Sequence, residues 1–302
     1  MDFKQHNMSD VKTPRIGLLG FGEAGQAIAA SLASQNADLC ISAYDKAPED
    51  EMICDHINLL KSAKELAANS DIILSVVTAD EAVNAAHQIA PYLTKDHLFL
   101  DGNSVSPGTK RAAAEAITLS AGLYCDMAIM APIHPHGHKT PLLLSGAGEA
   151  RLTPILSSLD FSYSWEGTEI GQACLVKMLR SILIKGMECL IAESVTASQA
   201  FGLDERILQS AGKTLGIADM PALADYVMER AGTHGRRRAA EMREVAKTLS
   251  ELGLSNDMSK AIAHYQDRIA DMALSNQFRG TIPRDRAQIA PLMRAAQMND
   301  KG

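Results

Sequence analysis

The chain predicts an α/β fold: a doubly wound, mostly parallel sheet at the N-terminus, then an all-α C-terminal domain joined to it by a long interdomain helix. Three observations predict it. Short apolar runs alternate with helical patterns from residue 15 to residue 165. A glycine turn, Gly20-Phe21-Gly22-Glu23-Ala24-Gly25, leaves the first apolar run and opens the first helix. After Gly167 only helical periodicity remains. The divisions that follow are a flexible segment at 1–13, a Rossmann-type nucleotide-binding domain at 14–167, and the interdomain helix with a helical domain at 168–302.

Each element has its own signal. RIGLLG (15–20) is a short apolar strand, and the small residues of 22–35 make a helix that can pack closely upon it. Strands follow at 39–45, 71–77 and 97–102, alternating with helices at 62–70, 80–93 and 107–120. Residues 124–132 and 140–146 read as two further strands, 148–159 as a helix and 161–165 as a closing strand. A single helical pattern covers 168–201, and Gly202 is placed to stop it. Helices are then expected at 203–215, 219–231, 234–252 and 257–276, with fraying over the last few residues.

Composition removes several classes of function. The net charge is −7 and the densest basic cluster is Arg236–Arg238, so neither nucleic acid nor an anionic membrane is an expected partner. No apolar stretch reaches the ~20 residues of a membrane span, and the polar start carries no secretory signal. The five cysteines, 40, 54, 125, 174 and 189, form no CxxC and sit in apolar runs. Reduced, buried thiols in a cytoplasmic protein are the expectation.

The glycine turn meets the contextual test for a dinucleotide site. Gly20 permits the tight turn, Gly22 lets the backbone approach a pyrophosphate, and Gly25 allows close helix packing. The helix then points its amide end at the phosphates. Twenty residues beyond Gly25, at the end of the second strand, Asp45 is placed to bind the adenine ribose hydroxyls. A carboxylate there repels a 2′-phosphate, which favours NAD over NADP, although Lys46 beside it has the reach to meet one. The candidate cofactor contacts are Gly20, Phe21, Gly22, Glu23, Ala24, Gly25, Asp45, Lys46, Val77, Thr78 and Asn103.

Residues 172–190, QACLVKMLRSILIKGMECL, raise a separate question. At about 100° per residue Lys177, Ser181, Lys185 and Glu188 share one stripe with Arg180 at its edge, and apolar residues fill the rest. The stripe is either the solvated side of an amphipathic helix or the seat of a working lysine.

Three motifs together resemble the β-hydroxyacid dehydrogenase family, the relatives of 3-hydroxyisobutyrate and 6-phosphogluconate dehydrogenases. GLLGFGEAGQAIA is similar to the family's opening fingerprint. Asp101-Gly-Asn-Ser104-Val-Ser-Pro107 resembles its second motif, whose hydroxyls lie near substrate and nicotinamide. Gly171-Gln-Ala-Cys-Leu-Val-Lys177 resembles its catalytic stretch. The C-terminal half, through HGRRRAAEMREVAKTLSELGL, resembles a phosphogluconate-dehydrogenase-like subgroup with a C-terminal domain of unknown function. The resemblance implies that Lys177 is the general acid and base, with Ser104, Asn103 and Ser181 orienting the reacting oxygen. Partial desolvation and the nearby Arg180 and Lys185 would pull such a lysine down from ~10.4.

The chain also departs from that family. Ser181 stands where an asparagine is usual, the substrate motif falls on Asp126-Met-Ala-Ile-Met-Ala-Pro132 without its serine and glycines, and a late Lys-Asp pair becomes Ala240-Glu241. Replacement substrate contacts are sought at Met127, His134, Arg180, His234 and Arg238. His134, His136 and His138 alternate in one loop, which is open to a pocket-mouth role, a metal site or a plain polar turn, and no metal is expected. His234 with Arg237 and Arg238 is either an anion contact or a set of helical ion pairs with Glu241 and Glu244.

The function implied is hydride transfer between NAD, less favourably NADP, and a small β-hydroxy acid or β-hydroxy amino acid, in a homodimer. Two alternatives stand beside it: an imine reductase on the same scaffold, against which the retained lysine argues, and a non-catalytic NAD(P)-sensing protein.

Overall fold

The computed structural model describes residues 13–47 and 57–299. The expected N-terminal segment, Cys54 and the last residues of the chain lie outside them. Two compact units divide between Lys177 and Met178.

The first unit holds one eight-stranded sheet in the order β3-β2-β1-β4-β5-β6-β7-β8. Its strands are β1 (Ile16–Leu19), β2 (Ile41–Tyr44), β3 (Ile57–Leu59), β4 (Ile72–Ser75), β5 (Leu98–Asp101), β6 (Leu123–Ile129), β7 (Leu142–Ser145) and β8 (Tyr163–Trp165). All neighbours run parallel except β6 and β7. The helices are α1 (Glu23–Gln35), α2 (Ala63–Ala68), α3 (Ala82–Ile89), α4 (Pro107–Leu119) and α5 (Glu149–Ser158). Strand β3 was not expected, and it forms the sheet edge beside β2.

Strand alternation explains the two-sided core. Ile16 and Leu18 of β1 pack with Ile28 and Leu32 of α1 and with Leu152 and Leu156 of α5. Leu19 and Ile73 join Leu66, Ile89 and Ile117 from α2, α3 and α4 on the other face. Side chains start the helices where the sequence provides them: Ser62 accepts the Glu65 N–H, and Ser106 accepts the Thr109 N–H with Pro107 at the first helical position. Strand order reverses between β1 and β4, and this switch point opens the crevice in which such sheets bind nucleotides.

The second unit is helical. It contains most of α6 (Gln172–Ser198), then α7 (Asp204–Leu215), α8 (Met220–Glu251), α9 (Asp257–Asp271) and α10 (Arg286–Asn299). Gly202 and Gly216 take left-handed conformations just past a short 3-10 turn and α7. The two helices expected around 219–231 and at 234–252 are present as the two halves of α8, which meet at a kink where His234 leaves helical geometry (φ −122°, ψ 15°). Next to it, a Cβ on Gly235 would lie 2.8 Å from the Gln266 carbonyl, so the close approach of α8 and α9 depends on that glycine. Helix α10 was not expected; Pro291 lies inside it, and its Ile289, Ala290 and Met293 complete the unit's core. Among the described residues no helix is long and apolar enough to cross a membrane.

Candidate active site

The site is built from the carboxyl ends of β1, β2, β4 and β5 and the first turn of α6. Gly20 follows β1 with φ +95°, and a Cβ there would meet the Val76 carbonyl at 2.8 Å. A Cβ on Gly25 would stand 2.5 Å from the Gly20 carbonyl. A Cβ on Gly22 would project into open space, and no side chain caps α1 at that residue. The first-turn N–H groups at Glu23 and Ala24 are therefore without a side-chain cap, as at helix ends that accept a phosphate. Phe21 is fully buried, so its backbone alone faces this loop.

Asp45 ties the loop to β2. Its Oδ2 accepts the Phe21 N–H at 2.7 Å and its Oδ1 the Ala47 N–H at 2.9 Å. Lys46 is drawn to Glu81 at 2.7 Å. Val77 packs over Gly20, with Cγ1 2.8 Å from where a Cβ would be, and Thr78 is exposed beyond it.

At the end of β5, Asn103 is buried. Its N–H donates to Asp101 Oδ1 at 2.9 Å and its Nδ2 to Ser75 Oγ at 3.1 Å. Its Oδ1 has no partner among the described residues, which leaves a buried acceptor available to a bound molecule. Ser104 follows, and Lys177 Nζ donates to Ser104 Oγ at 2.5 Å.

The stripe on α6 is an inward face. Ser181, Lys185 and Glu188 are 6, 8 and 3% exposed, whereas Leu183 and Leu190 on the opposite side are 72 and 65% exposed. Of the two readings of the stripe, a solvated side does not describe Ser181, Lys185 and Glu188, because these polar residues find partners inside the helical unit. Lys185 Nζ pairs with Glu241 at 2.8 Å and donates to Ser181 Oγ at 3.3 Å; Glu188 pairs with Arg238.

The replacement substrate contacts are scattered. Met127 is 1% exposed in the core of the sheet, and Arg238 is sunk against Glu188, so neither side chain offers itself to a small molecule. His134 and Arg180 are exposed, and His234 sits half-buried at the kink. Arg237 pairs with Glu241 at helical spacing, 2.5 Å apart. In the histidine loop, His138 turns inward, bonds Ser31 Oγ through Nδ1 at 2.7 Å and packs edge-on against Phe161, while His134 and His136 stay at the surface. Burial lowers the affinity of His138 for a proton. The three histidines do not converge, and among the described residues no His, Cys, Asp or Glu cluster could hold a metal ion.

Two residues below the site were missed. Lys110 is wholly buried between Asp101 Oδ1 at 3.1 Å and Asp126 Oδ1 at 3.2 Å. Burial alone would strip its proton, but the two carboxylates reverse that and hold its affinity above the usual lysine range. Asp126 is not at a substrate surface: it is 0% exposed, and its Oδ2 accepts the Cys174 N–H at 2.9 Å. Of the cysteines expected to be buried, 125, 174 and 189 are, while Cys40 is exposed at the end of the loop before β2.

A doubly wound sheet with a glycine turn at its switch point is the architecture of a dinucleotide-binding domain, and here a lysine meets a serine on the neighbouring loop. The NAD-binding domain of 6-phosphogluconate dehydrogenase matches residues 15–149, and a domain of unknown function, DUF1932, matches residues 198–269. The chain belongs to the β-hydroxyacid dehydrogenase family, 3-hydroxyisobutyrate and 6-phosphogluconate dehydrogenase-like, in the subgroup that carries this C-terminal domain. A conserved hypothetical protein from Sinorhizobium meliloti 1021 is 32% identical, with 95% of this chain and 97% of that one covered and a TM-score of 0.72. The conserved protein MTH1747, described as structurally similar to 3-hydroxyacid dehydrogenases, is 27% identical over 89% of this chain and 100% of its own, with a TM-score of 0.68. The 3-hydroxyisobutyrate dehydrogenase of Mycobacterium tuberculosis, solved with L-serine, shares the fold at 15% identity and a TM-score of 0.72, covering 94% of this chain and 100% of its own. Family membership supports a dehydrogenase-like oxidoreductase whose N-terminal domain is of the nicotinamide-nucleotide-binding kind.

Proposed function

We propose that the protein oxidises a small β-hydroxy acid or β-hydroxy amino acid, or reduces the corresponding carbonyl, with Lys177 as general acid and base. The observation that carries this reading is Lys177 Nζ at 2.5 Å from Ser104 Oγ, on the loop that also presents the unpartnered Asn103 Oδ1. The bound nicotinamide supplies the hydride acceptor or donor. In the oxidative direction neutral Lys177 takes the substrate hydroxyl proton, and in the reductive direction its ammonium returns it. The Ser104 hydroxyl accepts from the lysine and turns its own proton toward the reacting oxygen. Asn103 Oδ1 accepts from whichever bound amide or hydroxyl lies above it. Ser181 stands one turn beyond Lys177 on α6, already receiving a hydrogen bond from Lys185, which makes it a fixed rather than a mobile contact.

NAD is the proposed cofactor. Two observations support this: two backbone amides fix the Asp45 carboxylate after β2, at the position where an acidic residue disfavours a 2′-phosphate, and Lys46 is paired with Glu81. We propose a homodimer as the working assembly, supported by the exposed apolar side of α6: Val176, Leu179, Leu183, Ile184, Met187 and Leu190. A small-molecule substrate and a reducing, cytoplasmic setting complete the reading, supported by the net charge of −7 and the free thiols among the described cysteines. Nicotinamide absorbance should be followed with NAD and NADP across a panel of β-hydroxy acids and β-hydroxy amino acids. Turnover on either class agrees with the proposal, whereas tight cofactor binding without turnover on any compound favours the sensor.

A further inference from the structure

Under the Ser104 loop lies a charged cluster closed off from water. Asp101 and Asp126 are register partners on β5 and β6, and Lys110 on α4 lies between them. Lys110 Nζ also donates to the Asp101 carbonyl and, at 3.5 Å, to that of Met127. Each carboxylate holds a different part of the site. Asp101 receives the Asn103 N–H at 2.9 Å and the Tyr124 hydroxyl at 2.7 Å, which fixes the loop that presents Asn103 and Ser104. Asp126 receives the Cys174 N–H at 2.9 Å and the Ser145 hydroxyl at 3.2 Å, and Ser145 Oγ in turn receives the Ala173 N–H at 3.0 Å. Those amides belong to the first turn of α6, which presents Lys177 immediately afterwards.

We propose that Lys110 is a positioning residue: by bridging the Asp101 and Asp126 carboxylates it locks the Ser104 loop to the first turn of α6 and so sets the Lys177–Ser104 pair. This rests on Lys177 being the acid and base. The physical reason is charge balance. One ammonium shared by two carboxylates leaves a single negative charge, which faces the amide end of α6 and is favoured there. Without the ammonium, two like charges would face each other across neighbouring strands in a dry interior, and they must separate or take up a proton. Either response moves one half of the pair relative to the other. The remaining titratable groups against the cluster, Tyr124, Cys125 and Cys174, are kept neutral chiefly by burial and cannot replace the lysine's charge. Nothing in the sequence marks Lys110, since a lysine in a helix ordinarily reads as solvated.

The test uses the full chain, with Lys110→Met and the charge-compensated Lys110→Met/Asp126→Asn, which keeps a capping oxygen and covers failure of the single variant to fold. Three quantities are read: NADH affinity by fluorescence, the pH profile of Lys177 acylation by acetic anhydride from peptide masses, and kcat with KM on an accepted substrate. We expect NADH affinity to hold within about threefold, the acylation profile to shift, and kcat to fall about 10²-fold with KM changed much less. A folded variant with the wild-type acylation profile and wild-type kcat overturns the proposal. The role of Lys177 fails by a different result, turnover surviving in Lys177→Ala, and the acylation profile still reports on Lys110 in that case.

Discussion

Lys177 and Ser104 are 73 residues apart in the chain, yet their side chains meet at 2.5 Å. One rides on the first turns of α6 and the other on the loop after β5, so the contact exists only because the fold brings both elements to the carboxyl end of β5. A serine hydroxyl at hydrogen-bond distance from an amine is the arrangement by which a proton can pass between a side chain and a bound hydroxyl. The following expectations bear on the residues around it.

Gly20 and Gly25 tolerate no side chain. Gly20→Ala puts a Cβ 2.8 Å from the Val76 carbonyl at φ +95°, and Gly25→Ala puts one 2.5 Å from the Gly20 carbonyl. Each should cost about 1–3 kcal/mol of stability and weaken NADH binding at least tenfold. Gly22→Ala meets nothing, so it should fold normally while still impairing the cofactor. Urea titrations beside NADH fluorescence separate the two effects.

If NAD is the cofactor, as proposed, Asp45 is the residue expected to favour it over NADP. Asp45→Asn keeps the acceptor for the Phe21 N–H but removes the charge that repels a 2′-phosphate. The ratio of NAD to NADP affinity should fall by about tenfold, roughly 1.4 kcal/mol. An unchanged ratio would show that another residue discriminates.

Arg238 and Glu188 form a buried ion pair, with side chains 10 and 4% exposed. Arg238→Met strands the Glu188 carboxylate and should cost about 3–5 kcal/mol. Arg238→Met/Glu188→Met should recover most of that loss. Denaturant unfolding of the three proteins tests this; a substrate-binding Arg238 would instead show a KM effect with little change in stability.

Stability should fall on the alkaline side. Burial raises the thiols of Cys125 and Cys174 well above their ordinary value of 9.0, and that of Cys189 to about 12. Groups whose affinity for protons is higher in the folded state give full stabilisation below the unfolded value and lose it as pH climbs toward the folded one. Lys110 and Tyr124 are shifted in the same direction and add to the loss above pH 10.5 and 10.0, the ordinary values of the two groups. Each thiol contributes about 1.4 kcal/mol per pH unit in that window. Denaturant midpoints measured from pH 7 upward (roughly neutral) should therefore decline past about pH 9, and Cys125→Ala should shallow the slope.

The fold was legible where periodicity and glycine chemistry agree. The glycine turn, the strand–helix alternation and the Gly202 stop all depend on local geometry, and the structure realises each of them. Strand β3 escaped because three residues carry no alternation, and α10 escaped because Pro291 interrupts its pattern. The inward stripe on α6 was ambiguous for a physical reason. A helix with polar residues on one side and apolar on the other states that it has two faces, but not which one has buried partners. Those partners, Glu241 and Arg238, lie on α8, at least fifty residues further along. Lys110 and Asp126 were silent for the same reason, since a buried ion pair joins distant residues and leaves no spacing to read.

The central claim is that Lys177 moves the proton. The most direct test is Lys177→Ala assayed for nicotinamide turnover on a substrate the wild type accepts, with NADH affinity measured on the same preparation. The account predicts a loss of turnover of about 10²- to 10⁴-fold with cofactor affinity unchanged. Turnover at the wild-type rate in Lys177→Ala would contradict it.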